Sequence, residues 1–154
     1  MTLRLDLVAP CGMNCGVCMR YLATTTGLAQ KTGKTQCTGC RSQKKNCAFI
    51  KGNCKDLREE KITFCFECPT FPCVRLEKLN KRYTSKYNTS LIDNLLQIKQ
   101  VGIEKFVAKE TEKSKCSKCG GTVSIHDGKC YGCGVLQKTE KSKGYIQAPF
   151  SNSK

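Results

Sequence analysis

Leu91, Ile92, Leu95, Leu96 and Ile98 form the longest apolar stripe in the chain, and their three-and-four spacing predicts an amphipathic helix packed through one face. Ser90 supplies a cap at its start and Gly102 a stop at its end. Before it, Pro72 suits the first position of a helix running through Arg82, with Leu76, Leu79 and Tyr83 on one face. The stretch Thr84 to Thr89 is polar and reads as a connection. After Gly102, a third amphipathic piece from Ile103 to Thr111 carries Phe106 and Val107. These three helices are expected to bury their apolar faces against the preceding part of the chain.

Elsewhere the pattern is shorter. Met19-Arg20-Tyr21-Leu22-Ala23 predicts a short helix running toward Leu28 and broken by Gly33, and Ala48-Phe49-Ile50 reads as a half-buried strand or turn. Thr122-Val123-Ser124-Ile125 alternates as a strand, with a hairpin turn at His126-Asp127-Gly128. Four segments follow: a cysteine-rich module over 1–73, a helical segment over 74–112, a hairpin unit over 113–137 and a flexible basic tail over 138–154.

Cysteine changes this picture most. The chain has 14 cysteines in 154 residues. Cys116-Ser117-Lys118-Cys119-Gly120 and Cys130-Tyr131-Gly132-Cys133-Gly134 place two Cys-x-x-Cys-Gly steps on either side of the predicted turn. Two intervening residues let one backbone turn aim both sulfurs at a common centre, and the glycine permits the left-handed backbone that closes it. The expectation is a zinc ribbon with Cys116, Cys119, Cys130 and Cys133 as a closed tetrahedral ligand set. His126 also carries ligand nitrogens, but a turn position is its commoner use.

The other ten cysteines, Cys11, Cys15, Cys18, Cys37, Cys40, Cys47, Cys54, Cys65, Cys68 and Cys73, are read as metal ligands too. Disulfides are the rival use, and they belong to oxidising compartments. Met1 to Pro10 carries Arg4 and Asp6 and no apolar run long enough for a signal or a membrane span, so a cytoplasmic, metal-bound protein is expected. Ten ligands suffice for two four-ligand sites with two left over, or for a shared-thiolate cluster, and spacing alone does not divide them. Cys11-x-x-x-Cys15-x-x-Cys18 also suits three irons of a four-iron, four-sulfur cluster. Radical S-adenosylmethionine enzymes share that spacing, but they need a large barrel that 154 residues cannot supply.

Composition explains why metal would be needed. Hydrophobic residues are 39% with the cysteines included, aromatics only 7%, and tryptophan is absent, so a large continuous core is not expected. Lys and Arg outnumber Asp and Glu by 27 to 12, a formal +15 spread along the whole chain. Each four-thiolate zinc site carries about −2, so three would leave roughly +9. That balance favours polyanionic partners such as RNA, ribosomes or DNA. No nucleophile elbow, phosphate loop or dinucleotide fingerprint occurs, and with a single histidine the chain offers no evident catalytic constellation.

The opening Cys-Gly-x-x-Cys-x-x-Cys, the Cys37-Thr38-Gly39-Cys40-Arg41 step and the ending from Cys65-x-x-Cys68 through Phe71-Pro72-Cys73 resemble the microbial, cysteine-rich DUF3795 family over roughly residues 7–80. The resemblance implies metal binding, zinc foremost, in a bacterium or archaeon, and carries over no reaction or catalytic residue. The sequence as a whole predicts a small, metal-stabilised α+β protein: a cysteine-rich N-terminal module, a helical middle and a C-terminal zinc-ribbon β-hairpin. Its expected function is that of a non-enzymatic zinc-binding adaptor or regulator docking on RNA, a ribosome or a protein assembly. The alternative is an iron–sulfur redox carrier or oxygen sensor.

Overall fold

The computed structural model describes residues 5–31, 33, 36–41 and 49–137. Cys47 and the tail over 138–154 therefore lie outside the described residues. Among those described, the protein is mostly helical: α1 (Met19–Thr25), α2 (Leu28–Lys31), α3 (Phe49–Asn53), α4 (Lys55–Arg58), α5 (Val74–Tyr87), α6 (Leu91–Val101) and α7 (Ile103–Lys113), with short 3-10 turns at Leu5–Leu7, Cys15–Val17 and Cys65–Glu67.

Helix α6 sits at the centre. It packs on α5, on α7 and on the Cys65–Glu67 turn, while α7 reaches back to the Leu5–Leu7 turn. Its stripe explains this placement, because Leu91, Leu95 and Ile98 are all buried along one face. Ser90 Oγ accepts the Asp93 backbone N–H at 3.1 Å, a cap worth about 1 kcal/mol. Asn80 Oδ1 of α5 accepts the Ile92 N–H at 3.0 Å, which fixes α5 against the start of α6. Two apolar clusters result, one joining Leu76, Leu91 and Leu95 to Cys11, Cys15 and Cys65, the other joining Phe106, Val107 and Ile98 to Val8. The core of the helical segment and the cysteine-rich module thus share residues.

Several boundaries and one element type differ from the sequence reading. Helix α5 starts at Val74 with Cys73 as its extended cap, and Pro72 precedes it. It continues past Arg82 to Tyr87, because Tyr83 and Tyr87 stack edge to face at 5.2 Å and both pack on His126. The segment read as a strand or turn at Ala48-Phe49-Ile50 is helical from Phe49 onward, with Ile50 and Leu57 buried, and Ala48 lies outside the described residues.

The hairpin expected over 113–137 is present only as single-residue antiparallel bridges, Lys115 with Thr122, Val123 with Cys130 and Lys129 with Leu136. Tight turns take up the residues that a longer ladder would need. Cys116 N–H donates to Gly121 O at 2.7 Å and Gly120 N–H to Cys116 O at 2.9 Å; Cys130 N–H donates to Val135 O at 2.9 Å and Gly134 N–H to Cys130 O at 2.8 Å. The two knuckles are therefore near copies of one another. Gly120 and Gly134 hold φ of 75° and 77°, the left-handed conformation their position in the motif predicts.

Candidate metal centre

Those two knuckles bring the sulfurs of Cys116, Cys119, Cys130 and Cys133 within 4.8 Å of one another. Cys116 and Cys133 stand 3.9 Å apart, and Cys119 and Cys130 stand 3.5 Å apart. Four sulfurs on a zinc ion at about 2.3 Å would be separated by about 3.8 Å. The donor set therefore fits a tetrahedral thiophilic ion.

The surrounding backbone favours negative sulfur. Gly121 N–H donates to Cys119 Sγ and Gly132 N–H to Cys130 Sγ, each at 3.3 Å. Hydrogen bonding from the Cys133 backbone holds the Cys130 thiol down to about 6, against the opposing effect of burial. Space favours glycine at both donors as well. A Cβ on Gly121 would lie 3.2 Å from Cys119 Sγ, and one on Gly132 would lie 3.1 Å from the same sulfur. Cys116 and Cys130 are buried while Cys119 and Cys133 face solvent, so one edge of the quartet is open to an arriving ion.

His126 is not part of this quartet. Its Nδ1 accepts the Met19 N–H at 3.4 Å, which leaves the proton on Nε2, 3.4 Å from the Tyr83 hydroxyl. Together with the Ile125 N–H to Val17 O bond at 3.1 Å, the imidazole docks the C-terminal unit on α1 and α5. The sequence offered no signal for this role, since Tyr83 and Tyr87 lie about forty residues earlier. Burial lowers the His126 pKa from 6.5. A lowered imidazole pKa means that the unfolded chain takes up a proton before the folded one. His126 therefore costs nothing at high pH and destabilises the fold as pH falls through the unfolded value. We expect the thermal midpoint to fall more steeply between about pH 7.5 and about pH 5.5 in the native protein than in His126→Gln. Equal slopes in thermal melts of the two proteins would remove this role.

The N-terminal cysteines are placed differently. Among the described residues only the C-terminal quartet has all its ligand atoms within 4.8 Å. None of the described cysteines is joined in a disulfide. Cys15 Sγ accepts the Cys40 N–H at 3.4 Å, and the Cys40 thiol and its backbone lower the Cys15 thiol to about 7, against burial. The Cys40 thiol is raised in return, because it keeps the shared proton. Burial pushes Cys11 up to about 11 and Cys65 up to about 12. Cys18 precedes α1, Cys54 precedes α4 and Cys73 precedes α5, each with extended backbone at a helix start. Cys68 closes the Cys65–Glu67 turn, with its sulfur 3.2 Å from the Thr70 hydroxyl.

Arg41 is the neighbour whose importance the sequence did not show, although it directly follows the Cys37-x-x-Cys40 step. Its Nε donates to Val8 O at 2.6 Å, its Nη1 to Thr63 O at 3.2 Å, and its guanidinium lies 4.6 Å over the Phe64 ring. It thereby places a positive charge within electrostatic reach of Cys11, Cys15 and Cys65.

Residues 7–78 match the model of the family described as Protein of unknown function (DUF3795), in agreement with the resemblance read from the opening motif and the Cys65 to Cys73 ending. The C-terminal quartet lies beyond the matched residues. Neither a curated protein nor a solved structure matches the chain. Among the described residues no helix is long and apolar enough to cross a membrane.

Proposed function

We propose that this protein is a non-enzymatic, zinc-binding adaptor whose C-terminal quartet is a structural metal site and whose basic surface docks on RNA, free or within a ribosome. The observation that carries the metal part is the mutual spacing of four sulfurs within 4.8 Å. Four protein thiolates fill a tetrahedral shell and leave no position for water or substrate, which suits a structural ion and not a hydrolytic one. Thiolate ligation also suits the reducing cytoplasm.

The partner follows from charge. A formal +15 stays clearly positive after any bound thiolates are counted, and it is spread across the chain. Retention on an RNA or heparin column is therefore expected to fall steeply as salt rises from about 50 to about 200 mM. Retention that is absent, or indifferent to salt, would leave the metal site in place and remove the polyanion.

The iron–sulfur alternative rests on Cys11 and Cys15, both buried in the cluster that also contains Cys65, with Cys18 packed against it. Purification without oxygen separates the two readings. Colourless protein with stoichiometric zinc supports the first, and brown protein with visible charge-transfer absorbance supports the second.

A further inference from the structure

We infer that Cys15, Cys18, Cys37 and Cys40 form a second tetrathiolate site, separate from the C-terminal quartet, for a soft divalent ion of the zinc class. The inference rests on the metal-binding reading above and deepens it by assigning ligands within the N-terminal module.

Two Cys-x-x-Cys steps meet here, as they do at the C-terminal site. The first is shaped by the Cys15–Val17 turn, in which Cys18 N–H donates to Cys15 O at 3.0 Å and Asn14 Oδ1 accepts the Gly16 N–H at 2.9 Å. The second contains Gly39 at φ 106°, a left-handed turn between its cysteines. The structure then ties the second step to the first at each of its own cysteines. Cys37 N–H donates to Thr24 Oγ1 of α1 at 2.8 Å, and α1 begins directly after Cys18. Cys40 N–H donates to Cys15 Sγ at 3.4 Å. Beyond it, Arg41 anchors the same segment to Val8 O.

An N–H aimed at a sulfur favours the thiolate, and it is the device seen at Cys119 and Cys130 in the C-terminal quartet. The Cys18 sulfur lies within electrostatic reach of both Cys15 and Cys37, so the four ligands border one region. Four sulfurs in this module become thiolates together only on a divalent ion, which satisfies all of them at once. Their spacing is wider than that of the C-terminal set, so the ion itself would complete the site. Cys11 is left out because it stands outside both Cys-x-x-Cys steps, in the Ala9–Met13 turn.

The test counts zinc in the full chain, purified without oxygen, by elemental analysis. Cys37→Ser/Cys40→Ser is expected to lose one equivalent relative to the native protein, and Cys116→Ser/Cys119→Ser to lose a different one, so that the losses add. Cys11→Ser is expected to keep the native count. An unchanged count in Cys37→Ser/Cys40→Ser overturns the second site, as does loss of an equivalent in Cys11→Ser. An unchanged count in Cys116→Ser/Cys119→Ser instead strikes the metal reading of the C-terminal quartet, so the two failures are distinguishable. Thr24→Val unties Cys37 without removing a sulfur, which keeps the test decisive if the cysteine variants do not fold. It is expected to weaken retention of one zinc equivalent against a competing chelator by about tenfold or more. Unchanged retention of every equivalent in Thr24→Val would also overturn the assignment.

Discussion

Stripping metal from the protein with a strong chelator at neutral pH is expected to unfold the C-terminal unit over 115–137 and loosen its contact with α1 and α5. The expectation follows from how little else holds this unit. Its buried apolar cluster consists of Val123 with Cys116 and Cys130, two members of the quartet, with Val135 packed alongside. Its antiparallel pairing is limited to single-residue bridges. A structural zinc site supplies about 10–16 kcal/mol of apparent binding free energy, which exceeds what such a cluster can give. Without a cation the quartet cannot hold four thiolates together, so its sulfurs take up protons and lose their common centre. Circular dichroism and proteolysis during the titration report the change, and Cys116→Ser/Cys130→Ser is expected to behave as the stripped protein does. Because the buried residues of α5 to α7 pack in clusters apart from that of Val123, much of the helical signal is expected to survive. A C-terminal unit that stays protease-resistant after complete metal removal would show that packing suffices.

The second large effect concerns the glycine of the opening motif. Gly12→Ala is expected to destabilise the metal-loaded protein by roughly 2–5 kcal/mol, combining overpacking with left-handed backbone strain. Gly12 has φ 88° at the tip of the turn between Val8 and Asn14, where Gly12 N–H donates to Ala9 O at 2.9 Å. Helix α6 crosses directly over it. A Cβ there would lie 2.6 Å from Leu91 O and 2.9 Å from Leu95 Cγ, and the first of these is backbone that cannot rotate away. The shift would also disturb the bond from Asn94 Nδ2 to Gly12 O at 3.0 Å. Gly102→Ala is the matched control, since Gly102 has φ 87° but no heavy atom within 4 Å of the added carbon. It is expected to lose only the strain component, about 1–3 kcal/mol, because φ 87° with ψ 157° is a backbone region nearly confined to glycine. Denaturant unfolding of both variants measures the difference; equal losses would mean that close approach to α6 contributes nothing.

These effects show which parts of the fold were legible in the sequence. Helix α6 was, because Ser90, the Leu91 to Ile98 stripe and Gly102 specify it locally. The C-terminal quartet was too, since each knuckle is complete within a few residues and only one turn separates the pair. The end of α5 was not: Thr84 to Tyr87 is polar by pattern and becomes helical where Tyr83 and Tyr87 meet His126. Helix α3 was missed because a run as short as Ala48-Phe49-Ile50 has no period that separates helix from strand. The neighbourhoods of the N-terminal cysteines were hidden for another reason. They depend on contacts between distant segments, Thr24 with Cys37 and Cys15 with Cys40, that no local spacing encodes.

Basic charge and sulfur spacing bear on different questions. The charge concerns the partner, and a salt titration addresses it. The sulfurs concern what holds the C-terminal unit together, and the account depends on them.

X-ray absorption at the zinc edge of protein purified without oxygen tests that dependence most directly. Zinc surrounded by sulfur alone is expected, with four scatterers at about 2.3 Å. Folded protein containing no metal, or an ion with oxygen in its first shell, would contradict it.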